Sequence, residues 1–337
     1  MKQLIQILPL FPVLLVVACS GSGPNPAAEP GDLNSVFTYA QGPEPRSLDP
    51  AQITDTHSAF VASNLFEGLL VWNASGDRLQ PGAASSYEVS PDGRQYTFTL
   101  REDAIWSNGD PVAAADFVVA WRRLLNPALG SPYAALLYPI RGARTLHQGQ
   151  VRDPSVFRVE ARDRRTLIVE LENPTPWFPA IVAHTIAAPI NPRAVKRHGF
   201  AWTRPENIVV NGPFTLSSWT RGHELVLERN RYYHSADQVA LDRVIARVDL
   251  GPERVVDLYE GGQLLWTGRA TGALPLDQLD RLATRPDAHV QAQLGTSWYY
   301  FNTELPQFAD VRVRKALDLS LDRQALAELL GPNGLAT

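Results

Sequence analysis

The stretch SPDGRQYTFTLREDAIWSNGDPVAAADF, residues 90–117, contains a turn, a strand, a second turn and the start of a helix. Pro91-Asp92-Gly93 is a turn signal. After it Tyr96, Phe98 and Leu100 are apolar at every second position, the period of a strand with one buried face. Residues 86–90, before the turn, are its natural partner. Trp106-Ser107-Asn108-Gly109-Asp110-Pro111 then predicts a tight turn, with Asn-Gly supplying positive φ and Asp-Pro ending it. Beyond this the period changes. Phe117, Trp121, Leu124 and Leu125 fall at i, i+4, i+7 and i+8, one face of a helix.

The same alternation continues outward. Phe157, Val159 and Ala161 are placed to pair with Leu167, Val169 and Leu171 across Asp163-Arg164-Arg165, and Phe214 and Leu216 with Leu225 and Leu227 across Arg221-Gly222-His223. Residues 243–250 read as a further strand. Residues 253–260 read as a helix stopped by Gly261-Gly262. Asp310 and Asp322 are placed as N-caps of helices over 312–319 and 323–330. No period of 20–50 residues recurs. The pattern is that of an α/β fold with mixed sheets.

The amino terminus is of another kind. Met1-Lys2-Gln3 precedes an apolar run from Leu4 to Ala18, shorter than the roughly 20 residues of a spanning helix. It contains Pro9 and Pro12, and reads as a signal peptide over 1–18. Val16-Val17-Ala18-Cys19 resembles a lipobox, so Cys19, the one cysteine in 337 residues, is the expected lipidation site. The alternative is an ordinary cleaved signal with an incidental cysteine. Residues 19–33 then form the lipidated end and a flexible tether. Thirty-one basic against 35 acidic side chains argue against a nucleic-acid partner. Hydrophobic content of 45% supports a packed body of about two domains.

Catalytic signatures are absent from the sequence. The seven histidines form no i, i+4 pair, and with Cys19 lipidated no thiolate is left, so no metal site is expected. There is no G-x-S-x-G elbow, P-loop or G-x-G-x-x-G. A lipid-anchored hydrolase built on acidic residues such as Glu67, Glu88, Glu102 and Asp116 is the competing class; the expectation is a protein that is not an enzyme and needs no cofactor.

Nine segments carry a resemblance: EPRSLDP (44–50), NLFEGLL (64–70), the opening stretch (90–117), WRRLLNP (121–127), SPYA (131–134), NIVVNGPFTLSSW (207–219), LVLERNRYY (225–233), LYEGGQLLWTGR (258–269) and LGTSWYYFNTELPQFADVRVRKALDLSLDR (294–323). Together they resemble the extracytoplasmic oligopeptide-binding proteins of bacterial peptide importers, solute-binding protein family 5. The resemblance implies a periplasmic-binding-protein-like class II fold, α/β and multi-lobed with mixed sheets and a hinge. Lobe I would be 34–66 plus 192–294, lobe II 67–191, and 295–337 the start of lobe III. Family members continue further, so the third lobe is expected to be incomplete, the chain truncated and its affinity reduced.

The family function is capture of short peptides for an ABC permease in the inner membrane, by a monomer in the periplasm or at the cell surface. Extended peptides expose amide groups that strand-like segments can pair, as in β-strand addition. Thr54, Asp55 and Thr56 lie where the family places main-chain contacts. Gly295, Thr296, Ser297, Trp298 and Tyr299 offer a strand with aromatic walls, and Tyr133 of SPYA matches a position that reaches the cleft. Murein peptides, haem, nickel chelates and oligosaccharides are alternative ligands within the family. Two departures stand out. The family's Gly-Glu-x-Asp is Gly262-Gln263-Leu264-Leu265 here, and the hydroxyl residue that often caps the helix before Asp116 is Ala113, an omission costing about 1 kcal/mol.

Overall fold

A computed structural model describes residues 35–151, 153–268, 274–289 and 300–329. They fall into two compact units, 35–268 and 274–329. In the larger unit strand β1 (Val36–Gly42) leads through a 3-10 turn (Pro50–Gln52) to helix α1 (Thr56–Leu65), followed by the short hairpin β2 (Leu70–Trp72) and β3 (Leu79–Pro81). Next come β4 (Ala84–Val89), β5 (Gln95–Leu100), α2 (Ala114–Leu124) and α3 (Ala143–His147). β6 (Val159–Ala161), β7 (Thr166–Glu170), α4 (Phe178–Val182) and α5 (Pro192–His198) follow, and then β8 (Phe214–Thr220), β9 (Glu224–Arg229), β10 (Arg243–Val248) and α6 (Pro252–Glu260).

The quoted stretch folds as its periods require. β5 buries Tyr96, Phe98 and Leu100 and pairs antiparallel with β4, Tyr87 opposite Phe98. β4 begins two residues earlier than expected, with an irregularity between Ala84 and Ser86. β5 also pairs with β7, and β7 with β6, where Val159 faces Val169 and Ala161 faces Leu167. The order is β4-β5-β7-β6. In the Trp106–Pro111 turn Gly109 takes φ +87°, and the Trp106 N–H donates to the Asp110 carbonyl at 2.8 Å. α2 then buries Phe117, Trp121 and Leu124, and its C-cap Leu125 is buried with them. The buried Trp121 indole N–H donates to the Ala187 carbonyl at 2.8 Å.

α2 has no side-chain cap at Ala113, but the Asp116 carboxylate, three residues in, takes the Ala113 N–H at 3.0 Å and the Trp106 indole N–H at 3.0 Å. That is half of a capping box, with the turn's tryptophan in place of the hydroxyl. Burial raises the Asp116 carboxyl above the ordinary range, and these two donors oppose the rise.

The second sheet has the order β1-β10-β9-β8. β1 and β10 are parallel, Phe37 opposite Val244, although about two hundred residues separate them. On the other side of β1, Trp266 forms a parallel bridge with Tyr39, secured by Ala40 N–H to the Trp266 carbonyl at 3.1 Å and Leu265 N–H to the Thr38 carbonyl at 2.8 Å. Gly268 closes this approach at φ +79°; a Cβ there would lie 2.1 Å from the Ala40 carbonyl oxygen. α6 is stopped as expected, with Gly262 at φ +72°.

The smaller unit holds α7 (Leu279–Ala283), α8 (Pro306–Ala309), α9 (Val311–Leu319) and α10 (Arg323–Leu329). Asp310 caps α9 through the Arg312 N–H at 2.8 Å, and Asp322 accepts from the Ala325 N–H at 2.9 Å. No helix among the described residues is long and apolar enough to cross a membrane.

Candidate ligand-binding site

Trp266, β1 and β10 run parallel, so their carboxyl ends share one edge, the edge at which open α/β sheets bind ligands. The chain leaves β1 there at Gly42. α1 begins at the same edge, because His57 in its first turn locks onto the strand end. The His57 Nδ1 lies 3.1 Å from the Gln41 carbonyl, and the Gln41 amide donates to the His57 carbonyl at 2.9 Å. The Tyr39 hydroxyl donates to the Gln41 side chain from beneath, and burial pushes its own ionisation far up. From β10, Asp249 returns the contact. Its N–H donates to the Gly42 carbonyl at 2.9 Å, and its carboxylate accepts the Glu44 N–H at 3.1 Å. Asp249 has φ +54°, the one described non-glycine residue in the left-handed region. Such a residue costs on the order of 1 kcal/mol and is held by its surroundings.

Thr54, Asp55 and Thr56 lie together on this edge. The Asp55 carboxylate caps α1, accepting the Ser58 N–H and the Ser58 hydroxyl, each at 2.7 Å. Ser58, fully buried, in turn accepts the Arg46 N–H at 2.9 Å and the Ser47 N–H at 3.3 Å. The side chain of Asp55 is therefore occupied within the protein. The main chain is not: among the described residues the N–H and C=O of Thr54 and the N–H groups of Asp55 and Thr56 have no hydrogen-bond partner. Thr54 and Thr56 are exposed.

Tyr133 stands elsewhere, at the start of a 3-10 turn (Ala134–Leu137), 41% exposed, with its ring 6.3 Å from that of His184. Gly295, Thr296, Ser297, Trp298, Tyr299 and Cys19 lie outside the described residues. The sequence did not single out Gln41, Glu44 or Asp249. Asp249 had a signal, an aspartate ending an alternating strand just before Gly251-Pro252, since Asp tolerates left-handed backbone.

Of the four acidic residues considered for hydrolysis, Glu67, Glu102 and Asp116 have structural partners, and Glu88 is exposed on β4. Glu67 is buried, taking the Tyr233 hydroxyl at 2.7 Å and lying 3.1 Å from His234 Nε2. Burial, then the Glu67 charge, raises the Tyr233 hydroxyl. Glu102 pairs with Arg165 on the surface. No group of three or more His, Cys, Asp or Glu among the described residues is placed to hold a metal ion.

Residues 78–337 match the family described as bacterial extracellular solute-binding proteins, family 5 Middle. The chain is 38% identical over 286 residues to the oligopeptide-binding protein OppA of Bacillus subtilis, covering 85% of this chain and 52% of that one. It is 33% identical to a probable deoxycholate-binding periplasmic protein of Escherichia coli, covering 90% and 56%. The structure of Haemophilus influenzae OppA in complex with RPPGFSPFR superposes with a TM-score of 0.83 at 35% identity, covering 88% of this chain and 58% of that one. The chain thus spans somewhat over half the length of these relatives. It belongs to the family 5 bacterial extracellular solute-binding proteins, with the multi-lobed α/β fold of that family.

Proposed function

We propose that the chain is an extracytoplasmic receptor, anchored through a lipid on Cys19, that captures short peptides by their main chain and delivers them to an ABC permease without making or breaking a bond. The observation that carries this reading is the run of amide groups at Thr54, Asp55 and Thr56, without a partner among the described residues, where parallel strands end. An extended peptide offers the complementary groups whatever its side chains are. The relatives named for oligopeptides, one of them in complex with a nonapeptide, support the same ligand class. On this reading residues 34–66 and 192–294 form the lobe bearing these amides, 67–191 an added lobe, and 295–337 the beginning of a third, whose Gly295–Tyr299 segment supplies further main-chain contacts. Tyr133 serves as an accessory wall.

Calorimetric titration of the full chain tests it. Tripeptides of unrelated sequence should bind within about tenfold of one another, since backbone bonds do not read side chains. N-methylation of the central amide should weaken binding by about tenfold, one hydrogen bond's worth. Mass spectrometry of the recovered peptides should show them intact. Absence of binding by any tripeptide, or cleavage of one, refutes the proposal.

A further inference from the structure

A groove of about 220 Å³ opens beside the same edge, lined among others by Arg46, Gln52, Phe200, Trp219 and Arg221. Its two acidic neighbours are already paired. Asp49 at the floor is held by both Arg123 nitrogens, at 2.9 and 2.5 Å, with the Trp202 indole N–H at 3.3 Å. Glu44 accepts the Trp219 indole N–H at 2.7 Å and lies 3.5 Å from Arg221. Arg221 lies flat on Trp219, its guanidinium carbon 3.6 Å from the ring centre, an arrangement that presents N–H groups at its edge. Arg46 is exposed, and its guanidinium has no hydrogen-bond or ion-pair partner among the described residues. Of the charged side chains lining the groove, Arg46, Asp49 and Arg221, Asp49 is paired with Arg123 and Arg221 lies by Glu44, so the guanidinium open to a ligand is that of Arg46. Phe200, 93% exposed, stands at the rim. A lone exposed phenylalanine means little, but one beside an unpaired arginine and an arginine-stacked tryptophan makes an amphipathic groove. The groove is also tied to the expected peptide contacts, because the Arg46 N–H bonds Ser58, which bonds Asp55.

We propose that this groove is a carboxylate subsite for the captured peptide. One ligand carboxylate pairs with Arg46 and the open edge of Arg221, and the apolar part of the same residue lies against Phe200 and Trp219. One unpaired guanidinium, with carboxylates of Glu44 and Asp49 nearby, suits a monoanion better than a dianionic phosphate. The carboxylate is either the peptide's C-terminus or an acidic side chain. The inference rests on the peptide-capture reading.

Titration of the full chain with Ala-Ala-Phe, its C-terminal amide and Ala-Asp-Phe-amide separates the cases. Arg46→Gln should weaken binding of the carboxylate-bearing peptide about tenfold or more, as expected for losing a charge-assisted bond, and leave Ala-Ala-Phe-amide unchanged; Arg221→Gln should act in the same direction. If the C-terminus is the source, amidation of Ala-Ala-Phe costs the wild type as much as Arg46→Gln does. If a side chain is the source, Ala-Asp-Phe-amide is the peptide that responds. Equal wild-type affinity for all three peptides overturns the subsite while leaving peptide capture intact, and so do variants that weaken all three equally. If no peptide binds at all, the parent reading fails. The groove is then decided by titrating N-acetylphenylalanine against the arginine Nε–H resonances: a saturable shift at Arg46, lost in Arg46→Gln, sustains the carboxylate site, and no shift overturns it.

Discussion

Replacing Asp55 with alanine removes two hydrogen bonds at once, the cap from the Ser58 N–H and the bond from the Ser58 hydroxyl, both 2.7 Å long. An N-cap aspartate is worth about 1 kcal/mol to its helix, and a hydroxyl–carboxylate bond about 1 kcal/mol more when its donor is buried, as Ser58 is. Asp55→Ala should therefore lower unfolding stability by about 2 kcal/mol. Asp55→Asn keeps the cap acceptor but puts an NH2 where Oδ2 takes the Ser58 hydroxyl, and should cost about 1 kcal/mol. Urea unfolding followed by circular dichroism measures both. Ser58→Ala and the double variant complete a cycle with a coupling of about 1 kcal/mol. The same variants separate the two roles open to this residue. With the carboxylate committed to α1, Asp55→Asn should leave peptide affinity within about threefold of wild type, about 0.6 kcal/mol on the logarithmic scale. A loss of tenfold or more at unchanged stability would place the carboxylate on the ligand and refute the capping argument. So would an Asp55→Ala variant that loses under 0.5 kcal/mol.

Burial holds His184 down at about 4 from an ordinary 6.5, with its Nδ1 accepting the Ile186 N–H at 3.2 Å. The unfolded chain takes up that proton first, so the stability His184 contributes is whole above about pH 6.5 and falls as pH drops towards 4, by at most about 3 kcal/mol. Urea midpoints at pH 7 and 4.5, with His184→Asn flattening the difference, check this. Gly142 has φ +78°, and a Cβ there would sit 1.9 Å from the Val156 carbonyl oxygen, whereas Gly130, at φ +65°, has nothing within 4 Å. Gly142→Ala should cost more than about 3 kcal/mol in thermal or urea unfolding, and Gly130→Ala about 1 kcal/mol, the left-handed strain alone. Arg123→Met strands the Asp49 carboxylate, whose side chain is 6% exposed, with only the Ala51 and Trp202 donors. It should cost about 3 kcal/mol, much of which Asp49→Leu in the same chain should restore, as read from denaturant midpoints.

What the sequence could and could not show follows the range of the forces involved. β5 and α2 were legible because strand and helix periods are local, and Tyr96, Phe98, Phe117 and Trp121 each carry their signal within a few residues. The caps at Asp310 and Asp322 were legible for the same reason. Asp55 shows the limit of that logic. An aspartate before Thr-His-Ser-Ala is an N-cap signal, yet within a segment singled out for main-chain ligand contact that cap went unread, and the coordinates show the carboxylate committed to Ser58. Pairings over long separations had no local trace at all. Nothing in the alternation of 243–248 names β1 as its neighbour. Arg123 finds Asp49 across 74 residues, Tyr233 finds Glu67 across 166, and Trp219 finds Glu44 across 175. The edge where β1 and β10 end is made by such pairings, so its specificity depends on sheet order. The main-chain part of the proposed site, contiguous in sequence at Thr54–Thr56, could be anticipated from one segment. The charged groove needs Arg46, Phe200 and Arg221 from three segments, brought together by the placement of β8 and the β1–α1 connection within one unit. A substitution in the core of β10, such as Val244→Ala, should therefore disturb that groove as well as stability, although Val244 lines no part of it.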